Sequence, residues 1–293
     1  MPVERFAVKL SPPLDVAASL EPFRRVDDGI DRWDGRVASR TVPVGERAVP
    51  YAFEIGGDIS SPQVQVTVES RGDTDVVGAA VRNTFMPLTS RASETLRRDP
   101  VLRVLDDRHP GLRPVRQFDL MSAIVRCISA QQVNVAWAAT TRRRLAEAFG
   151  TRHELEGRCV FSLEAVALAS LEPSQLRALQ FTGRKAEYIV EAAQAIVDGR
   201  LDARQLQSMS NEEVVSRLVS IRGLGRWSAE WLLLRFFGRP TVVAGDLAVR
   251  KAVGKAYEGD GPVAEAEVRD RAVGWGDAAA VAQALLLHDL GQQ

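Results

Sequence analysis

Cysteine is nearly missing: the 293-residue chain has two, Cys127 and Cys159, too few for a disulfide scaffold. Cys127 falls in an apolar helical pattern and Cys159 in a polar stretch. Both are expected as reduced thiols, which points to the cytosol. The three histidines, His109, His153 and His288, are scattered with no His-x-x-x-His, so no transition-metal site is expected. No apolar run reaches the roughly 18 residues of a membrane span. The start, MPVERFAVKL, lacks the apolar stretch of a secretory signal. Excess charge is absent too: 38 Lys and Arg balance 38 Asp and Glu. That counts against a nonspecific polyanion binder, which is usually basic. Neither a Gly-x-Ser-x-Gly elbow nor a phosphate loop occurs.

What is present suits a globular chain of one large or two ordinary domains, with 45% hydrophobic and 26% charged residues. Up to about residue 90 the pattern is that of strands. RFAVKL alternates, VPYAFEIGG follows, and QVQVTVES has strict period two. DTDVVGAAVRNTF reads as a helix behind an Asp cap, and 106–117 as a connection. From Phe118 the pattern becomes helical. FDLMSAIVRCISAQQ places Met121, Ile124, Val125 and Ile128 on one face. The next helix carries Arg142, Arg143 and Arg144 on a solvated side, and Gly199 ends a third. Ser210 and Glu213 have the spacing of a capping box. The expected fold is an α+β N-terminal domain over 1–115, with a mixed or antiparallel sheet, followed by an all-helical domain over 116–293.

Between two helical patterns stands IRGLGR, residues 221–226. A preceding strand would make it a dinucleotide fingerprint, but a capped helix precedes it and Ser228 fills the third glycine's place. It reads instead as a helix–hairpin–helix. Gly223 and Gly225 permit a tight turn and a close backbone approach. The unpaired amides at the next helix start offer a phosphate site, with Arg226 beside them. An ordinary helix–helix turn stays open as the alternative. Asp246 starts a later helix, where Asp is most often only an N-cap. It could also face a sugar about to become cationic. Trp227 and Trp231 share a helical face, as core residues do, and would lie where a base-stacking surface is needed.

IRGLGRWSAEWLLLRFFGRPTVVAGDLAVRKAV, residues 221–253, resembles the signature of the helix–hairpin–helix DNA glycosylase superfamily. LMSAIVRCISAQQVNVAWAATTRRRL and FTGRKAEYIVEAAQAI are similar to two further segments of its DNA-3-methyladenine glycosylase II, or AlkA, type. The β-rich first hundred residues resemble that type's extra N-terminal domain. The resemblance implies Asp246 as the catalytic carboxylate, Trp227 as the aromatic beside an extruded base, and Trp231 as a second pocket position. Gln131 and Gln132 match the loop that enters the duplex, with Gln132 as the wedge. Gly223 and Gly225 would offer amides to a phosphate, and the carbonyls of Val219, Ile221 and Leu224 would hold Na+ or K+. No cofactor is implied for the chemistry.

Lyase-type members carry a lysine where Trp227 stands, so the resemblance implies a monofunctional enzyme. Two cysteines also exclude the iron–sulfur cluster of other branches. The implied activity is excision of alkylated purines of the 3-methyladenine type, by base flipping, in base excision repair. The implied partner is damaged double-stranded DNA, bound by a monomer in the cytoplasm at the nucleoid, with no membrane. Three positions depart from the pattern. Arg222 replaces a proline and adds a cation near DNA. Gln132 is a polar wedge. The segment after Trp275 lacks an Arg-Ser pair and a later aromatic, which would leave one pocket wall open. Two alternatives remain: a non-catalytic DNA-binding protein on the same scaffold, or a glycosylase for another base such as hypoxanthine.

Overall fold

The computed structural model describes residues 3–292; Met1, Pro2 and Gln293, which fall in the expected domain spans, lie outside the described residues. The chain opens with β1 (Glu4–Lys9), α1 (Val16–Arg25), β2 (Arg32–Trp33), β3 (Val37–Val44), β4 (Arg47–Ile55), β5 (Gln63–Val68) and α2 (Thr74–Arg82). The strands form one sheet, ordered β1-β5-β4-β3-β2, with every neighbouring pair antiparallel. Of the two sheet types expected, the antiparallel one forms. The β3–β4 link is only Gly45 and Glu46, too short for a parallel crossover. Period two in β5 buries Val64 and Val66 and exposes Gln65, while α1 and α2 close the core with Leu20, Val77 and Val81. Asp73 precedes α2 but does not cap it. Its carboxylate is held by Arg47, Nη1 to Oδ2 3.0 Å, because a cross-strand cation outcompetes the local amides.

Then follow α3 (Ser90–Arg98), α4 (Pro100–Arg108), α5 (Leu120–Ala130), α6 (Val135–Phe149), β6 (Thr151–Leu155), β7 (Arg158–Ser162), α7 (Ala165–Ala169) and α8 (Pro173–Ala178). The chain ends with α9 (Gly183–Val197), α10 (Ala203–Ser208), α11 (Asn211–Val219), α12 (Arg226–Arg235), α13 (Leu247–Val253), α14 (Glu265–Trp275) and α15 (Ala279–Gln292). Among the described residues no helix is long and apolar enough to cross a membrane. Two of the expectations shift at this point. The connection at 106–117 begins inside α4, because Asp99 caps that helix with Pro100 in its first turn. The helical part also contains a β-hairpin, β6–β7, turned by Glu156 and Gly157 at φ 49° and 74°, the two-residue geometry such hairpins favour.

The helices build two cores. One surrounds α5, where Met121, Ile124 and Ile128 meet Ile189 of α9, Leu218 of α11 and Leu232 of α12. Almost every residue of α5 is buried, so it is a central helix with no solvent face. The other joins Leu96 of α3 and Leu102 of α4 to Val249, Val268, Trp275 and Leu285 of α13–α15. At the seam a smaller cluster of Met86, Leu234, Val243 and Ala280 packs against Trp227 and Trp231. The chain passes from one core to the other between α12 and α13, which makes the seam the natural place for a site.

A buried charge cluster fastens the sheet to the first core. Asp28, 0% exposed, pairs with Arg126 at 2.6 Å and Arg142 at 2.8 Å, while Asp31 accepts from Arg126 at 2.8 Å and from Arg40. Burial alone would raise the Asp31 carboxyl, but Arg40 and Arg126 hold it below its ordinary value. Arg142 is therefore buried, contrary to the solvated side expected for it. Its guanidinium can sit there only because a carboxylate from the N-terminal domain meets it. Arg143 and Arg144 are partly exposed.

Candidate nucleic-acid interface

The Ser210–Glu213 capping box is formed on both sides, with amide bonds of 3.3 and 2.8 Å. It starts α11, and buried Ile221 and Leu224 pin the turn that follows. Gly223 has φ +91°, and a Cβ there would lie 2.2 Å from the Tyr188 ring, so both conformation and space demand glycine. Gly225 differs. Its φ of −87° is ordinary and an added Cβ would meet nothing within 4 Å. The fold does not require glycine at 225; only an approaching partner would. Gly225 gives α12 no side-chain cap, so the amides of the first turn keep their donors for an outside acceptor. Gly223→Ala is therefore expected to lower stability by about 2–4 kcal/mol. Gly225→Ala should shift the melting temperature little yet weaken duplex binding about tenfold. Thermal melts and fluorescence anisotropy on the two variants check this, and equal behaviour of both would contradict it.

The two hairpin-side arginines are already engaged. Arg222 donates to Glu187 at 2.7 Å with its guanidinium 5.3 Å from the Tyr188 ring. Arg226 donates to buried Glu230 at 2.9 Å, and Arg269 of α14 reaches the same oxygen at 2.8 Å. Their charges are largely compensated. The three carbonyls expected to face a cation lie at the C-terminal end of α11 and in the turn. That of Ile221 accepts the Leu224 amide at 3.0 Å, leaving one lone pair. Neutral oxygens at the negative end of a helix suit a weakly held monovalent ion.

Gln131 ends α5, and its side chain donates to the Gly223 carbonyl at 2.8 Å, tying this loop to the hairpin. Gln132 follows at φ +55°, exposed at the loop tip. Lys185 of α9 braces the loop from beneath, its Nζ 2.9 Å from the Ser129 carbonyl, and burial pulls its ammonium below the ordinary value. Sequence reasoning missed Lys185, since a lysine in the first turn of a helix looks solvated.

Trp227 and Asp246 are in contact. The indole Nε1 donates to Asp246 Oδ2 at 2.8 Å. Asp246 Oδ1 accepts the amides of Ala248 and Val249 at 2.8 and 3.2 Å. Asp246 is thus the N-cap of α13 and also the partner of an indole from the other helical core. Around it Gly245, Leu247 and Ala248 are exposed, so the carboxylate stands at an opening. Trp231 lies one turn further into the seam, against the Met86 cluster. Met86 comes from the N-terminal domain, and nothing local to it signals this. Gln283 was also missed. It is buried in α15 and accepts the Val243 amide at 2.8 Å, fixing the segment that leads to Asp246. A lone polar residue in AAAVAQALLL was its signal. Trp275 is buried in the second core, 6.3 Å from Tyr257, and from the segment after it α15 packs Ala280 against the two tryptophans.

The model of the HhH-GPD superfamily base excision DNA repair proteins matches residues 125–275, half of the chain, from the second half of α5 to the end of α14. The chain belongs to this superfamily. Within it, the HhH-GPD protein is 31% identical over 149 residues to the DNA-3-methyladenine glycosylase of Bacillus subtilis, an alignment covering 50% of this chain and 49% of that one. The chain thus spans about half the length of that curated relative. Similarity of fold extends further. The 3-methyladenine DNA-glycosylase from Archaeoglobus fulgidus superposes with a TM-score of 0.85 at 22% identity over 98% of both chains. The Clostridium acetobutylicum 8-oxoguanine glycosylase/lyase, in complex with double-stranded DNA containing cytosine opposite 8-oxoG, gives 0.76 at 17% identity over 100% and 98%.

Proposed function

We propose that this HhH-GPD protein is a monofunctional DNA glycosylase, removing alkylated purines of the 3-methyladenine type from double-stranded DNA in base excision repair. The observation that carries the reading is the 2.8 Å bond between the Trp227 indole and the Asp246 carboxylate. It joins a flat aromatic surface and a fixed negative charge into one unit at the seam of two cores.

In this reading the hairpin amides hold a phosphate while Gln132 takes the place of the extruded nucleotide. Flipping costs about a few kcal/mol, least where pairing is already damaged. The two indoles pack on buried Met86, Leu234, Val243 and Ala280, so the face they leave open is aromatic rather than hydrogen-bonding. Such a surface favours an electron-poor, cationic purine, with cation–π attraction of about 1–2 kcal/mol when desolvated. An alkylated purine leaves as a neutral base and needs no general acid. Asp246 then stabilises the oxocarbenium-like sugar as the glycosidic bond breaks, and water completes an abasic site. No lysine stands at Trp227 to attack the sugar. The carbonyls of Val219, Ile221 and Leu224 would hold Na+ or K+, adding positive charge near the gripped phosphate.

Incubation with methylated duplex DNA tests this. Free methylated purine should appear, with strand scission only after alkali. No release from alkylated or hypoxanthine-containing duplex would end the enzymatic reading and leave a DNA-binding scaffold. Trp227→Phe keeps a ring but removes the indole donor to Asp246. Its single-turnover release should fall about tenfold, the cost of one charged hydrogen bond of about 1.5 kcal/mol, with the melting temperature little changed.

A further inference from the structure

Arg40, Arg126 and Arg142 are buried against Asp28 and Asp31, but the arginines around one cavity have no such partners. The cavity, of about 370 Å³, lies at the C-terminal end of α12. Arg116, Gln117, Phe118, Arg204, Gln207 and Phe236 line it. Arg116 Nη2 donates to the Phe236 carbonyl at 2.9 Å, while its buried Nε has no acceptor. Burial pulls this guanidinium below its ordinary value, with no carboxylate near enough to offset the loss. Arg204, exposed in α10, has no hydrogen-bond or ion-pair partner among the described residues. Arg239 gives its donors to the carbonyls of Leu206 and Gln207 and to the neutral side-chain oxygen of Asn211. Arg235 donates to the Val115 carbonyl at 3.1 Å, and burial, with Arg126 nearby, pushes it down to about 10.

Guanidiniums taken out of water call for an anion, and here the chain supplies only neutral oxygens. The rest of the lining suits a small molecule that brings the missing charge. Gln117 Oε1 accepts from Arg126 at 3.1 Å, which leaves its amide N–H groups as donors. Phe118 and Phe236, both half-buried, add aromatic walls. The volume is that of a small-ligand site.

Two hydrogen bonds place the cavity relative to the hairpin. At one end of the α5–α12 pair the Gln131 side chain holds the Gly223 carbonyl; at the other the Gln117 amide donates to the Arg235 carbonyl at 2.7 Å. The two helices therefore run in opposite directions, and the cavity sits at the end away from Gln131 and Trp227. The ten residues of α12, rising about 1.5 Å each, separate it from the hairpin. An anion held here is not a phosphate gripped by the hairpin amides.

We propose that this cavity binds a small phosphate- or carboxylate-bearing compound with a flat apolar body, Arg116 and Arg204 meeting the anionic group and Phe118 and Phe236 its ring. The site is separate from the nucleic-acid interface and does not depend on the catalytic reading.

Calorimetric titration of the full chain with phenyl phosphate, benzoate, inorganic phosphate and acetate tests this. One aromatic anion should bind at least tenfold more tightly than its ringless counterpart, and which one does so assigns the ligand as phosphate or carboxylate. Arg204→Glu should weaken that binding at least tenfold with the melting temperature unchanged, since Arg204 has no partner to lose. Phe236→Leu should remove most of the preference for a ring. A saturating abasic-site duplex should leave the affinity for the aromatic anion as it was. Absence of binding by both aromatic anions, wild-type affinity in Arg204→Glu, or no preference for a ring overturns the proposal. So does displacement by the duplex, which would move the anion to the hairpin.

Discussion

Replacing Asp246 with asparagine is expected to slow single-turnover base release about a thousandfold, or ~4 kcal/mol, while leaving the fold and abasic-duplex binding intact. Asparagine is as good an N-cap as aspartate, so the amides of Ala248 and Val249 keep an acceptor and α13 keeps its start. With that oxygen on the cap, the amide nitrogen takes the place of Oδ2 and the Trp227 indole loses its acceptor. What is lost is that bond and the charge, and a cationic sugar responds to charge. Chromatography of the released purine gives the rate, and a melt gives the fold. A variant that melts normally and releases base at the wild-type rate would remove Asp246 from the chemistry and leave it a cap.

The second large effect lies far from the seam. Asp28→Ala should cost about 3–5 kcal/mol, because it strands the buried guanidiniums of Arg126 and Arg142 without their shared carboxylate. Melting should fall by roughly 10 °C. Arg143→Ala is the control. Its contacts with Asp27 and Glu147 are both 3.4 Å long and partly exposed, worth under about 1 kcal/mol. The damage should also reach the interface, since Arg142 donates to Ser129 at 3.0 Å, just before the Gln131–Gln132 loop. Loss of duplex affinity in Asp28→Ala under conditions where the protein stays folded would show that link. Equal melting temperatures for Asp28→Ala and Arg143→Ala would show that the cluster contributes no stability.

Features that are local in the chain are legible in its residues. The capping box at Ser210 and Glu213, the close of α9 at Gly199, the period-two strand at 63–68 and the left-handed turn at Gly223 are fixed by neighbours within about four residues, although the crowding of Gly223 against Tyr188 is not. Gly225 leaves room for a partner's backbone, as its residue type suggests, but the turn itself would tolerate a Cβ there. The tryptophans at i and i+4 announce a shared face, though not that one indole holds Asp246. Gln131 falls in the loop expected for it, while its grip on the hairpin carbonyl leaves no trace in the local pattern.

By itself, the sequence determined the N-terminal strands and most of the helices, though not β6–β7 or the reach of α4, and with them the helix–hairpin–helix, the N-cap at Asp246 and the family to which these belong. Caps, turns and periodicities are short-range interactions, and the residue types record them directly. Only the tertiary structure decided that Arg142 is buried, for its partner Asp28 lies 114 positions away and a charge enters a core only where an opposite one awaits it. It also decided that Met86 and Gln283 shape the seam, that the hairpin arginines are already paired, and that the indole and carboxylate of two different cores meet at 2.8 Å. Those are contacts between distant segments, set by how whole helices pack, and no short stretch of chain contains them.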